Sequence, residues 1–347
     1  MKDNREKHAT QNDVAKLAGV TRSLVSYVLN GTDRAVAPET RKKILQAIDE
    51  LGYRPNRFAQ ALLAGKAALA KNHLGVILPS PAMLIRPYYT EILSGIFTAA
   101  HRAGNHIRFL RFFSELENPA LFNSLIHEEE ISGLILVGPD QIPVTGESAQ
   151  ILDRIRGRIP QVVTVDSRAA GFSSVVFDRR EAGYKATGRL LRRGCSPVLY
   201  IGQMDERFSG FRQALFEKTG GRPGCGPQVE KERGAVDTAG GYEAIRGFHT
   251  EYGTVPGGIF AGSDEIAVGI LKFLHEKQIA VPGETALVSI DNLEIAGYTC
   301  PALTTVNVHK RQLGEKAVGL ILGKAAVSGQ DAVTVTLPTE IVERESC

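Results

Sequence analysis

Two periodicities divide this chain. Over roughly the first sixty positions apolar residues recur every three to four places, the spacing of amphipathic helices. From about residue 72 onward, short apolar runs alternate with longer amphipathic stretches. In the first region Thr10 and Asp13 have capping-box spacing and open a helix over about 11–18. Gly19 closes it, because glycine tolerates the positive φ of a helix end. A second helix is expected over about 22–29, stopping at Asn30 and Gly31. A third starts near Pro38, buries Ile44, Leu45, Ile48 and Leu51 on one face, and ends at Gly52. Arg54 and Pro55 interrupt helix again, and Asn56 can cap a short fourth segment reaching Leu63.

Farther along, β-rich runs at 74–78, 107–113, 134–137 and 162–165 are separated by helical patterns at 88–102 and 119–129. The alternation resumes with runs at 198–202, 259–262 and 287–290. Strand–helix repetition of this kind predicts parallel sheets covered on both faces. The roughly 275 residues involved are generous for one doubly wound sheet, so two lobes are expected.

Residues 11–30 have the spacing of a helix-turn-helix. Val14, Ala18, Val20, Val25 and Val28 would seal two steeply crossing helices, Ala15 stays small at their closest approach, and Gly19 makes the turn. The second helix then presents Arg22, Ser23, Ser26 and Tyr27 outward, toward a major groove. Charge agrees with this. Residues 1–66 carry 12 Lys/Arg against 7 Asp/Glu, whereas the remainder carries 29 against 31, although the whole chain is only +3. A basic head on a near-neutral body points to a polyanionic partner.

These residues resemble the LacI/GalR family of bacterial transcriptional regulators. The likeness lies in Asp13-Val-Ala-x-x-Ala-Gly-Val-Thr21, Val25-Ser-Tyr-Val-Leu-Asn30 and Gly52-Tyr-Arg-Pro-Asn-Arg-Phe-Ala59. It continues through Asp178 and the glycine-containing helix after it, Arg207-Phe-Ser-Gly-Phe211, Phe260-Ala-Gly-Ser-Asp264, Ser289-Ile-Asp-Asn292, Pro301-Ala-Leu-Thr-Thr305, Leu337-Pro-x-Glu340 and Arg344-Glu-Ser346. The resemblance implies a small all-α helix-turn-helix head (1–55), a hinge helix and linker (56–71), and an α/β body (72–347). The body would be periplasmic-binding-protein-like, two doubly wound lobes joined by three chain crossings. Its N-lobe would take about 72–178 and 302–330, its C-lobe about 179–301 and 331–347.

The resemblance also implies a DNA-binding set. Arg22, Ser23 and Tyr27 stand where relatives read bases; Tyr27 replaces an arginine common there, which predicts a different operator step. Thr10, Thr21, Ser26 and Asn30 are expected on phosphates, which position the head without specifying sequence. Asn56, Ala59 and Leu62 would line the hinge helix, with Leu62 as the wedge that unstacks a minor-groove base step. A homodimer reading a pseudo-palindrome of roughly 14–20 base pairs follows, since two heads meet half-sites about one turn apart.

For the body, the resemblance implies a small-molecule effector held between the lobes, a sugar or sugar derivative as first guess. Ligands of open α/β sheets sit beyond the carboxyl ends of the strands. Asp166, Arg207, Asp264 and Asp291 follow expected strands and are the effector-binding candidates, although Asp264 would equally cap the helix after it. Ser263 is shorter than the asparagine frequent there, and residues 79–83 are apolar for a sugar pocket. With no tryptophan in the chain, stacking on a ring would fall to Tyr88, Phe172 or Phe208.

Composition removes other classes. Four scattered cysteines (Cys195, Cys225, Cys300, Cys347) lack metal-ligand spacing and fit a reducing cytoplasm. No phosphate loop, dinucleotide fingerprint, zinc-protease motif or nucleophile elbow is present, so neither enzyme chemistry nor a cofactor or metal is expected. No signal-peptide pattern or membrane-length apolar run is seen, which argues against an exported solute-binding protein and for a cytoplasmic, nucleoid-associated one. The end of the chain has no apolar heptads, so a dimer is expected and not a tetramer.

Overall fold

A computed structural model of the chain describes residues 9–30, 36–53, 72–218, 237–323 and 332–347. The head contains three helices, α1 (Gln11–Ala18), α2 (Arg22–Asn30) and α3 (Pro38–Glu50). The capping box forms as expected: the Asp13 amide donates to Thr10 Oγ1 at 3.3 Å and the Thr10 amide to Asp13 Oδ2 at 2.8 Å. Gly19 takes φ 66°, which lets the Val20 amide return to the Ala15 carbonyl at 2.9 Å and aims the chain into α2. Val14, Val25, Ile44 and Ile48 are wholly buried, joined by Ala15, Val28, Ala47 and Tyr53. Two expectations for α3 need correction. Leu51 falls at the helix C-cap and is exposed, and Leu45 is only half-buried, because Ala47 occupies the central strip of the packed face. The expected fourth segment, with Asn56, Ala59 and Leu62, lies outside the described residues.

The chain forms two compact units. Unit 1 takes Met1–Arg86, Leu93–Val175 and Gly314–Thr334; unit 2 takes Pro87–Ile92, Val176–Leu313 and Val335–Cys347. The first sheet has strand order β10-β5-β4-β3-β1-β2, the second β11-β9-β8-β7-β6. In the first, β1 (His73–Leu78), β2 (His106–Phe112), β3 (Gly133–Val137), β4 (Val162–Val165) and β5 (Ser173–Phe177) pair in parallel. β10 (Thr334–Leu337) completes its edge. In the second, β6 (Val198–Ile201), β7 (Gly258–Ala261), β8 (Ala286–Asp291) and β9 (Thr304–Asn307) are parallel, and β11 (Glu340–Val342) is antiparallel to β9. β3, β4, β5, β6, β7 and β8 are buried at every position, as strands covered on both faces must be.

The expected return to the first lobe near residue 302 is corrected by β9. Thr304–Asn307 still pairs with β8, and the chain leaves unit 2 only at Leu313, inside a helix. The sequence hides this because Leu303 and Val306 read as a generic buried strand that either sheet could accept.

Helices α4 (Pro87–Arg102), α5 (Pro119–Leu125) and α6 (Gly146–Arg158) lie between the strands of the first half. They are followed by α7 (Arg179–Arg192), α8 (Glu206–Lys218), α9 (Thr238–Tyr252), α10 (Asp264–Glu276) and α11 (Lys310–Leu322). Two glycines fix how α7 and α8 cross. A Cβ on Gly183 would stand 2.1 Å from the Arg207 carbonyl oxygen, and one on Gly210 2.0 Å from that of Arg180. The backbones touch there, and this contact seats Arg207 at the start of α8.

Candidate nucleic-acid interface and effector site

Thr21, Arg22 and Ser23 open α2 and are all exposed. Thr21 Oγ1 accepts from the Leu24 amide at 3.4 Å, a serviceable N-terminal cap. The Arg22 guanidinium does not float free: its Nε donates to Gln11 Oε1 at 3.3 Å. Gln11 also reaches the buried Tyr53 hydroxyl, whose pKa is raised mainly by burial. α1 and the chain after α3 therefore hold the root of the recognition helix. Gln11 and Tyr53 were missed from sequence, although Tyr53 stands inside a quoted motif. Ser26 and Tyr27 are half-buried and each already interacts with a neighbour. Thr10 is exposed, but its hydroxyl donates to Asp13 Oδ2 at 2.7 Å. Asn30 ends α2.

The head also touches the first lobe's helices within unit 1. Arg154 on α6 donates to Asp49 of α3 at 2.7 Å and lies 4.2 Å over the Phe122 ring of α5, while Asn123 Nδ2 donates to the Ile48 carbonyl at 3.5 Å.

The effector candidates divide between the units. In unit 1, Asp166 follows β4 with φ 77°, is 3% exposed and is held by neighbours. In unit 2, Arg207 and Asp264 follow β6 and β7, and Asp291 is the last residue of β8. Arg207 is gripped by Asp205: its Nε lies 2.9 Å and its Nη2 2.6 Å from Asp205 Oδ2. Its Nη1 donates to the Gly262 carbonyl at 2.7 Å, and Nη2 also reaches Gln203 Oε1 at 3.1 Å. Burial, the largest single influence, opposes the charge, but the Asp205 charge and its hydrogen bond, with Tyr200, together raise the guanidinium pKa above its ordinary value. Tyr200, Phe208, Phe211 and Phe260 form the aromatic bed beneath, with ring centroids of Tyr200 and Phe260 5.0 Å apart. Asp205, only two residues before Arg207, was not singled out from sequence.

Asp264 and Asp291 have contrasting surroundings. Ser263, and not Asp264, caps α10, its hydroxyl accepting from the Ile266 amide at 3.3 Å. Asp264 is fully buried, and its carboxylate accepts from the Ser289 hydroxyl, the Thr305 hydroxyl (2.6 Å) and the Leu293 amide (2.6 Å). Its oxygens are committed to joining β8, β9 and the turn after β8. Asp291 ends β8 with φ 118° and Asn292 follows with φ 53°, a left-handed pair of non-glycine residues where strain costs on the order of 1–3 kcal/mol each. Lys310, 3% exposed, stabilises this turn by donating to the Asp291 carbonyl and, at 3.1 Å, to the Asn292 carbonyl. The Asp291 side chain lies in a residue 5% exposed. Burial first, and the Asp264 charge second, push its pKa well above the usual carboxylate value, while Lys310 and Arg207 oppose the rise. Lys310 was not recognised from sequence. Tyr88 is buried edge-to-face on Tyr89, ring centroids 5.0 Å apart. No cluster of potential metal ligands occurs among the described residues.

A three-helix head whose second helix leaves Thr21, Arg22 and Ser23 exposed, joined to two α/β units with polar groups at strand ends, defines the class of DNA-binding regulators with a ligand-binding body. Comparison with known proteins agrees. Residues 10–56 match the family described as bacterial regulatory proteins, lacI family, and residues 187–347 match a periplasmic binding protein-like domain. The HTH-type transcriptional repressor PurR of Erwinia tasmaniensis is 30% identical over 345 residues, covering 97% of this chain and 96% of that one. PurR of Vibrio atlanticus is 28% identical over 350 residues, covering 97% and 98%. The lac repressor dimer bound to operator and the anti-inducer ONPF shares the fold, with TM-score 0.65 and 24% identity over 98% of this chain and 99% of that one. The chain belongs to the LacI family of bacterial transcriptional regulators.

Proposed function

We propose that this protein is a cytoplasmic repressor that acts as a homodimer on a pseudo-palindromic operator and changes its DNA affinity when a small effector occupies the strand ends of its body. The observation that carries this reading is the exposed start of α2: Thr21, Arg22 and Ser23 face outward from a helix whose opposite face is sealed by Val25 and Val28. Such a helix end suits a major groove, with Arg22 on a guanine edge and Thr10, Thr21 and Ser26 toward phosphates. Asn30, Asn56, Ala59 and Leu62 complete the proposed DNA set. Asp166, Arg207, Asp264 and Asp291 are the proposed effector residues, with Asp264 shaping the site from behind and Asp291 meeting the ligand. The chain performs no catalysis in this reading. Among the described residues no helix is long and apolar enough to cross a membrane.

The test is an electrophoretic shift with DNA from upstream of the protein's own gene, repeated with a thermal-shift screen of sugars, sugar phosphates, purines and uronates. Specific retardation that a thermal-shift hit strengthens or releases is expected. Specific binding that no stabilising ligand alters would remove the switch from the proposal and leave only the DNA reader.

A further inference from the structure

Resting on the DNA-reading part of that proposal and not on its effector part, we infer that α5 and α6 of the first lobe form a dock for the chain's own head. The dock holds the head with the reading end of α2 turned outward. The seven residues of α5 lie between two cores. Phe122 and Leu125 belong to the core of the first lobe, whereas Ala120 packs against the core of the head. Ala120 and Asn123, three positions apart, share one helix face, and Asn123 is wholly buried. Its Nδ2 donates to the Ile48 carbonyl at 3.5 Å, and its Oδ1 accepts from Arg158 Nη1 at 2.7 Å. The small residue lets the head come close, and the amide answers a carbonyl in the last turn of α3.

Charge explains why the head seats there. α3 ends in Asp49 and Glu50 with no basic residue in its last turn, although the carbonyl end of a helix favours cations. That locally unfavourable choice is answered across the contact. Arg154 Nη2 donates to Asp49 Oδ1 at 2.7 Å, and Arg158 reaches the same place through Asn123. The Phe122 ring supports both guanidiniums, 4.2 Å from Arg154 and 4.9 Å from Arg158. The Arg154 and Asp49 side chains are 32% and 46% exposed, so their pairing is weak by itself and screened by salt. Tethering offsets this. Residues 54–71 join head to lobe, and a short link raises the effective concentration of such partners to about the millimolar range. Thr10, Thr21, Arg22 and Ser23 all stay exposed while α3 is seated, so the dock leaves the DNA-facing set accessible. An oriented head loses less freedom on meeting an operator, which raises affinity without changing which bases are read.

The first arm of the experiment needs no DNA. Amide exchange of the full-length protein is followed by mass spectrometry for peptides over 46–53 and 118–126, with 133–137 as the control for the fold. Ala120→Glu puts a carboxylate into the apolar contact with the head but suits the first turn of α5, so it breaks the dock and spares the helix. Both dock peptides should exchange about threefold faster or more in this variant, with the control unchanged. Arg154→Ala, which leaves α5 itself intact, should give the same pattern at smaller size. Unchanged exchange over 118–126 in both variants overturns the dock. The second arm is anisotropy titration on labelled DNA from upstream of the protein's own gene. Asp49→Ala removes a negative charge from the head, which by electrostatics alone would strengthen DNA binding. Loss of the dock should instead weaken it about three- to tenfold, with the preference over an unrelated duplex unchanged. Arg154→Ala should weaken it to the same extent, and the double variant no further. Asp49→Ala binding as tightly as wild type, or more tightly, overturns the orienting role. Wild type without preference for that DNA removes the reading of α2 and the orienting role with it, while the exchange arm still decides the dock.

Discussion

At the start of α2 the polar groups face water and are lightly tied: Arg22 has one 3.3 Å bond to Gln11, and Thr21 and Ser23 are exposed. At the strand ends of unit 2 the charged groups are buried or half-buried and tied within the unit, Arg207 to Asp205, Lys310 to a backbone turn, Asp264 to three donors. The difference follows from what each region meets. DNA phosphates and base edges are polar and hydrated, so a head serves them best with accessible donors on a rigid support. A small ligand must be enclosed, and enclosure penalises any charge left unpaired, so the body neutralises its own charges first.

This contrast can be broken or sharpened by substitution. The largest effect is expected for Asp264→Ala, which strands two buried hydroxyls and a buried amide; unit 2 should lose about 3 kcal/mol by chemical denaturation. Arg22→Ala should cost about 1–3 kcal/mol in operator binding, read by fluorescence anisotropy, without changing the body's melting transition. Asp291→Asn should have the opposite sign to Asp264→Ala. Because the folded pKa of Asp291 is raised, its stabilising contribution is present at pH below the unfolded value and is lost as pH rises through the folded one. Replacing it should therefore stabilise the ligand-free protein at pH above the raised folded value, with the gain vanishing as pH falls below the ordinary carboxylate range of about 4 in a pH series of melting curves. Gln11→Ala should weaken operator binding least, by about 0.5–1 kcal/mol, because it frees Arg22 without removing it.

The head was almost fully legible from its residues, because its information is local: Thr10, Asp13 and Gly19 signal caps within three or four positions, and Val14, Val25 and Ile44 report one buried face. The order of strands was less so. β5, β9, β10 and β11 were not singled out, although β4, β6 and β7 are no longer than β5 or β9, and which sheet β9 joins is decided only by its pairing with β8. Within the effector site, positions after strands marked Arg207, Asp264 and Asp291, but not what each side chain does. Lys310 escaped notice because its role arises from tertiary proximity, two carbonyls brought to it by the end of β8 and the turn after it. Asp205, by contrast, is local to Arg207 and was missed because spacing alone does not show that the two side chains turn toward each other. Likewise, whether an aspartate is a cap, a strut or a ligand group depends on which donors reach it; for Asp264 they come from Ser289, Leu293 and Thr305.

The central claim is that the outward face of α2 reads DNA. Its most direct test is anisotropy titration of the full-length protein on labelled DNA from upstream of its own gene, for wild type and Arg22→Ala, over a series of salt concentrations. Wild type should bind specifically, with log K falling linearly against log salt concentration as phosphate contacts release counterions. Arg22→Ala should lose roughly tenfold or more of its preference for that DNA over an unrelated duplex. Equal preference in the two proteins would contradict the account.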